Sequence, residues 1–348
     1  MIEAKTAHEA IKKTMNHIIA HGWKSEVWGG EIPAKIGDPN SHNDFDREMI
    51  ECEPLVIELS NPLARWSDYS SHNPGITLRE TEDSLQQYNP GYVVAYSKLY
   101  NVWLNKNNLF DYTYGERIFS YPYHPATYRA QGIKDAHVLC ANQFYSCIEL
   151  LKKHPSTRKA VISIGFPFVD HNTDYRPCNQ LFQLRVVDGK LNWITVVRSL
   201  DVLRGFTENI FMFSIMQEMA ASQLKVPVGT YTTIAMNPHL YQQQLDDKLH
   251  LQKVPDCYDA YNPKPAFESP FPSETFKRID HMMFDRNRIS DAVKVCDTLP
   301  RYWKNWKLSL IAEWERLHKH YDLAELISRK ITNEFGIRIR QKLKEGQR

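Results

Sequence analysis

No C-x-x-C pair and no Cys/His grouping of zinc-finger spacing occurs in this sequence of 348 residues, whose six cysteines (Cys52, Cys140, Cys147, Cys178, Cys257 and Cys296) are dispersed. Neither a disulfide framework nor a structural metal is indicated. Charge bias is nearly absent: 43 Lys and Arg stand against 41 Asp and Glu, a formal charge of +2. That balance does not drive the protein onto nucleic acid or an anionic membrane, so any anion it binds must be met by a local cluster. No apolar run approaches the roughly 20 residues of a membrane span. The opening MIEAKTAHEAIKKTMNHIIAHGW has polar residues throughout instead of the apolar core of a signal peptide. The expectation is a cytoplasmic protein with neither a membrane nor a nucleic acid as partner. Internal repeats and low-complexity tracts are also missing.

A hydrophobic content of 42%, with 12% aromatic, is enough to bury a substantial core. AHEAIKKTMNHIIAHGW has apolar residues at helical spacing and stops at His21-Gly22. EPLVIELSNP reads as a strand closed by an Asn-Pro turn. LRETEDSLQQYNP is a short helical candidate, and DAHVLCANQFYSCIELLKKHPS a longer amphipathic helix stopped at His154-Pro155. AVISIGFPF, QLFQLRVVDG and KLNWITVVRS are β-rich, the last two joined at Asp188-Gly189, a strong hairpin signal. ENIFMFSIMQEMAASQLKV is a helix apolar on most sides. From residue 301 the chain is helical, with roughly twice as many basic as acidic residues, a pattern of solvated helical faces. Strands and helices mix without strict alternation, which predicts an α+β fold. A single domain over 1–348 is expected, with 300–348 as its helical C-terminal extension.

DYRPCNQLFQL poses the chemical question. Pro177 cannot donate to a sheet ladder and belongs at the first residue of a strand or on its edge, so Cys178 stands at a strand entrance. A thiol there is either a buried small hydrophobe or a nucleophile on a rigid mount. The hairpin returns through VVRSLDVLRGF, which crowds Arg198, Ser199 and Asp201 next to Gly205. A planar guanidinium plus a hydroxyl suits a phosphate; the alternative is a surface ion pair of Arg198 with Asp201. Asn209, near the start of the apolar helix, offers the donor and acceptor that a uracil edge demands, or merely caps the helix. His239 and Tyr241 alternate like strand residues facing one way, and both can bond a sugar hydroxyl.

Taken together, PCN, Q-L, V-x-G-x-L, R-S-x-D, G-F-x-x-N-I and H-x-Y, from Cys178 to Tyr241 without a gap, resemble the core of the thymidylate synthase family, including its pyrimidine nucleotide hydroxymethylase branch. The resemblance implies a mixed β-sheet flanked by helices, with two such sheets packed back to back in a homodimer. It implies one-carbon transfer from 5,10-methylenetetrahydrofolate to C5 of a pyrimidine nucleoside monophosphate. By the same resemblance Cys178 adds to C6 of the base, and Arg198 and Ser199 hold the phosphate. Asp201 holds the folate ring, Asn209 reads the base, and His239 and Tyr241 contact the sugar. HPSTRKAVISI resembles the segment that reaches the phosphate of the other subunit, here through Arg158 and Lys159. FDYTYGERIF resembles an active-site wall and nominates Tyr114 as a catalytic polar group, with Trp103 as a wall for base or folate.

The chain departs from the pattern in several places. The family's early glutamate is expected in a segment that is shortened here, leaving Glu80 and Glu82 as candidates, with a surface role for both as the alternative. Asn179 stands where many synthases have histidine, and Asn237 where aspartate is common. A short tail that closes over the folate is replaced by a basic helical segment. Hydride delivered to the exocyclic methylene on C5 gives a methyl product and water gives hydroxymethyl, so the product depends on solvent exclusion. The altered tail and the run GFTENIFMFSIMQEMAASQL tilt the reading toward hydroxymethylation, and Asn209 toward dUMP over dCMP. A thymidylate synthase is the alternative enzyme, and a catalytically inactive nucleotide-binding homologue the alternative of another class.

Overall fold

The computed structural model describes residues 1–26, 48–67, 74–86, 92–97, 100, 101, 104, 107, 110–122, 140–173, 176–242, 245 and 271–346. The chain divides into two compact units. One is built from Met1–Ser71, Gln87–Asn89 and Asn101–Pro265, the other from His72–Gln86, Pro90–Tyr100 and Ala266–Arg348.

The strands of the first unit are β1 (Ile2–Ala4), β2 (Trp23–Glu26), β3 (Glu48–Glu51), β4 (Leu55–Leu59), β5 (Tyr121–Pro122), β6 (Cys140–Ala141), β7 (Val161–Ser163), β8 (Asn179–Val187), β9 (Lys190–Val197), β10 (Leu200–Asp201), β11 (Val228–Ala235) and β12 (Pro238–Tyr241). Six form a mixed sheet in the order β1-β4-β11-β9-β8-β7, four a second sheet in the order β10-β12-β3-β2, and β5 pairs with β6. The mixed sheet flanked by helices agrees with the α+β expectation.

Period-two alternation sets the two faces of the large sheet. Leu191, Trp193, Thr195 and Val197 of β9 are buried, as are Tyr231, Thr233 and Ala235 of β11. The residues between them, among them Ile194, Val196, Thr232 and Ile234, are only half-buried. The buried face receives the helix Gly205–Leu224, whose Phe213 lies 4.4 Å from Phe182 and is stacked on Trp193 at 6.4 Å between centroids. Gln217 of that helix donates to the carbonyls of Leu191 and Thr230 at 2.8 and 3.0 Å. Those carbonyls flank the place where the β9–β11 register shifts, so a side chain supplies donors where the ladder is interrupted. The β8–β9 hairpin turns at Asp188 and Gly189, both with positive φ (49° and 70°), as a two-residue turn of this hand requires.

Two sequence expectations shift. The helix expected from residue 135 begins at Gln143 among the described residues, because Asn142 caps it, accepting from Tyr145 N at 3.0 Å, while Cys140–Ala141 pairs as β6. AVISIGFPF yields strand only at Val161–Ser163. Pro167 then opens the helical turn Pro167–Asp170, in which the Asp170 carboxylate accepts from Phe166 N and from the Arg117 guanidinium, both at 2.6 Å.

In the second unit the C-terminal helices Arg301–Leu317, Tyr321–Ser328 and Glu334–Gly346 are joined by Ser273–Met283, Ile289–Cys296, Pro74–Leu85 and Val93–Tyr96. Its core is ionic as well as apolar. Arg79, Glu82 and Asp83 share one helix face at i, i+3 and i+4 spacing and meet Asp280 and Lys307. Lys307 Nζ lies 2.5 Å from both Glu82 and Asp280, and Glu82 accepts further from Trp306 Nε1 (3.0 Å) and Gln86 Nε2 (2.8 Å). Three carboxylates face two cations, so the cluster carries an excess of acidic groups. Burial, with the Asp280 charge adding to it against Arg79 and Lys307, pushes Glu82 up to about 7. A surface role for Glu82 is therefore excluded: it is fully buried with four donors around it. Glu80 is half-buried and accepts from Tyr100 Oη at 2.9 Å.

Replacing Lys307 with methionine leaves Glu82 and Asp280 buried without their shared ammonium. The expected cost is about 3–5 kcal/mol, read as a lowered midpoint in urea unfolding at pH 7.

Candidate active site

Cys178 lies one residue before β8 and is half-exposed. Asn179 pairs with Val197 and Leu181 with Val196, so Gln180 is an extra residue that bulges the strand directly after the thiol. Arg198, just past the end of β9, holds this loop through three carbonyls. Its backbone N–H donates to Cys178 O at 2.9 Å, its Nε to Pro177 O at 3.2 Å and its Nη2 to Arg176 O at 3.0 Å. A guanidinium carries five N–H donors in a fork, so the two contacts made by its side chain leave capacity for an anion beside the thiol.

Behind the cysteine, Asn179 is completely buried. Its backbone N–H faces Tyr114 Oη at 3.4 Å, and its Nδ2 donates to Asn209 Oδ1 at 3.2 Å. Asn179 Oδ1 is buried with no partner among the described residues. Asn209 sits one turn inside its helix, whose N-cap is Arg204, so the capping alternative fails and the side chain belongs to this cluster. The Tyr114 ring packs edge-on against Phe213 at 5.6 Å and near Tyr112 at 5.8 Å. Desolvation, then the neighbouring Tyr114 and Cys178, hold the Tyr112 phenol well above its ordinary value. Tyr112 was missed in the sequence; its i+2 spacing from Tyr114 was the available signal.

The second sheet supplies the remaining residues. Asp201 is paired with His239, and His239 with Glu51, so their side chains share a face. Asp201 Oδ1 accepts from the N–H groups of Leu203 and Arg204 at 3.0 Å each, which fixes the carboxylate at the mouth of the long helix. His239 is buried, and its ring meets Tyr241 edge-on at 5.3 Å, so this pair faces one way as the alternation predicts. Ser199 is half-buried between β9 and β10.

Arg158 and Lys159 are not part of this cluster. Both are exposed on the turn before β7, where Arg158 O accepts from Gln183 Nε2 at 2.9 Å. Gln183 lies five residues along β8 from Cys178, roughly 17 Å at strand rise. Trp103 lies outside the described residues. Glu51, beside His239, was not found by sequence reasoning, since only the strand register brings it there.

Residues 86–277, more than half of the chain, match the family model for thymidylate synthase. The chain belongs to the thymidylate synthase family. Among curated relatives, a deoxyuridylate hydroxymethyltransferase of Bacillus phage SP01 is 30% identical over 220 residues, 60% of this chain and 55% of that protein. A putative thymidylate synthase of Methanosarcina barkeri is 29% identical over 246 residues, 71% of this chain and 91% of that protein. A thymidylate synthase of Listeria innocua is 27% identical over 152 residues, 37% and 48% of the two chains. The chain spans about half the length of the phage and Listeria proteins.

Within this thymidylate synthase family member the cysteines differ sharply in environment. Burial pushes Cys147 up to about 11 and Cys296 up to about 12, and burial with the flanking Glu53 and Glu51 raises Cys52. Only a thiolate alkylates readily. Limited iodoacetamide treatment at pH 8, mapped by peptide mass, is expected to modify Cys178 ahead of Cys52, Cys147 and Cys296. Modification of any of those three first would contradict the assignment.

Proposed function

We propose that the protein transfers a one-carbon unit from 5,10-methylenetetrahydrofolate to C5 of dUMP, giving a hydroxymethylated nucleotide. The carrying observation is the Arg198-held loop that presents Cys178 half-exposed beside the Asn179–Asn209 amide pair. A thiolate there is a strong nucleophile next to a guanidinium, and the amides lie where a base edge needs a donor and an acceptor. The unpartnered, buried Asn179 Oδ1 fits a donor supplied by a bound base or by water held with it.

The folate fits the residues present. Asp201 is half-buried, and the Leu203 and Arg204 N–H groups on its Oδ1 fix the carboxylate at the mouth of the long helix. Asp201 would hold the ring. When bound, the folate supplies the one-carbon unit. The chain's own residues divide the remaining work. Arg198 and Ser199 bind the nucleotide phosphate, and His239 and Tyr241 hold the sugar. Cys178 Sγ adds to C6, which makes C5 nucleophilic, and it leaves again when the product is complete. Asn209 and Asn179 orient the base, and Tyr114 faces the Cys178–Asn179 backbone from the side of the ring wall. Arg158 and Lys159 serve a second subunit. Their exposure and their distance along β8 from Cys178 support donation across a homodimer whose half-buried sheet faces pack back to back, by isologous contacts.

The hydroxymethyl product is favoured by the phage deoxyuridylate hydroxymethyltransferase among the relatives, and methylation to dTMP is the second reading, favoured by the synthases. Incubating the full chain with dUMP and methylenetetrahydrofolate and weighing the nucleotide decides between them. A hydroxymethyl mass is expected; a methyl mass makes it a synthase, and unchanged dUMP and dCMP make it a binding homologue. Cys178→Ser is expected to reduce turnover by at least about a thousandfold.

Base choice rests on Asn209. Asn209→Asp is expected to lose dUMP turnover and gain turnover of dCMP, because a carboxyl group suits the N3/N4 edge of cytosine. Unchanged rates with both nucleotides would sink that assignment.

A further inference from the structure

We infer that Glu51 is a positioning residue for the sugar end of this site, holding Asn237 and His239 in the arrangement that reads the nucleotide 3′-hydroxyl; the inference rests on the nucleotide reading above. The strand register places Trp23, Glu51, His239 and Asp201 in one row across β2, β3, β12 and β10. Paired residues project from the same face, so this row is a continuous strip leading from the Asp201 carboxylate to the sheet edge, where Trp23 is 46% exposed.

Glu51 is the electrostatic centre of the strip. Its Oε2 accepts from Asn237 Nδ2 at 2.6 Å and its Oε1 from Trp23 Nε1 at 3.0 Å. Burial alone would raise this carboxyl, but the hydrogen bonds from Asn237 and Trp23 and the adjacent His239 outweigh it and hold it below its ordinary value. An ionised Glu51 therefore grips the Asn237 side chain while the Asn237 backbone serves its neighbours. The Asn237 carbonyl accepts from Leu200 N at 2.9 Å and faces His239 Nδ1 at 3.3 Å. A carbonyl only accepts, so Nδ1 carries a proton in that contact and Nε2 is the ring nitrogen left for a ligand hydroxyl.

The chain of contacts is thus Trp23 to Glu51, Glu51 to Asn237, and Asn237 to His239. The groups that hydrogen-bond this carboxylate, Asn237, Trp23 and Ser25, are all neutral, so none of them is a cation recruited to neutralise a buried charge. Glu51→Gln keeps an acceptor for Trp23 but sets an amide donor against the Asn237 amide. Asn237 then turns away, and the His239 ring loses its fixed orientation.

The test is calorimetric binding of dUMP and of 2′,3′-dideoxyuridine monophosphate to the full-length protein and to Glu51→Gln. The wild type is expected to prefer dUMP by about tenfold, the worth of one hydrogen bond. In Glu51→Gln that preference is expected to shrink to within about twofold, with affinity for the dideoxy nucleotide unchanged within about twofold. A variant that weakens both nucleotides by the same factor, with the ratio intact, gives Glu51 a purely structural role and overturns the inference while leaving the nucleotide reading standing. A wild type that binds neither nucleotide overturns the nucleotide reading and this inference with it, and one that binds both equally overturns the 3′-hydroxyl assignment. Should Glu51→Gln lose its circular dichroism signature of folding, Glu51→Asp, which withdraws the carboxylate by one methylene, carries the same ratio test.

Discussion

The placement of the candidate nucleophile depends on one small set of contacts, the three hydrogen bonds from Arg198 to the carbonyls of Arg176, Pro177 and Cys178. They fasten the entrance of β8 to the exit of β9. Their geometry is inherited from the far end of the hairpin, where the positive-φ pair Asp188 and Gly189 sets the register. A slip of one residue would exchange every inward side chain of β8 for an outward one, and would present Arg198 to a different carbonyl. Bulging at Gln180 then absorbs one residue between Asn179 and Leu181, so that Asn179 is turned into the core under Asn209 while Cys178 keeps partial exposure. Turn chemistry, register and bulge are separate features of the sequence, and all three must agree for thiol, guanidinium and amides to converge.

Much of this was legible in advance because it is local. Asp188-Gly189 between two β-rich runs, proline before Cys178, and the apolar run after Gly205 each describe a conformation within a few residues, and each appears in the structure. Convergence of Cys178, Arg198 and Asn209 was legible only through the whole pattern of residues from 178 to 241, since no single pair in it is specific. What escaped was set by tertiary register. Glu51 reaches His239 because β3 pairs with β12, a contact spanning 188 positions of the chain that no local pattern encodes. Tyr112 is the milder case, since its i+2 spacing from Tyr114 was a local signal of its place near the thiol.

Glu82 illustrates the opposite failure. Charged residues at helical spacing, RETED, left a surface role open for Glu82, because an isolated charge is costly to bury. The helix is instead turned inward, and its charges are met by Asp280 and Lys307 from helices some 200 residues further along the chain. Local composition cannot distinguish these outcomes, since the compensating groups are remote. The same geometry bears on chemistry: a carboxylate surrounded by Arg79, Lys307, Trp306 and Gln86 has its acceptor positions engaged, which disfavours it as an organiser of reactive water.

The contrast between that cluster and Asn179 separates scaffold from site. In the helical unit, each of the three carboxylates around Arg79 and Lys307 has more than one donor, as stability demands of ions removed from water. Beneath Cys178, a fully buried amide donates to Asn209, and its own oxygen has no partner among the described residues. Other buried polar atoms, Thr14 Oγ1 and Gln217 Oε1 among them, also have no partner among the described residues, so Asn179 Oδ1 is set apart by its place beside Asn209 and the Cys178 loop rather than by the missing partner alone. Under the nucleotide reading, a base edge lying against Asn209 would bring a donor to Asn179 Oδ1 as well, so one ligand edge would engage both amides.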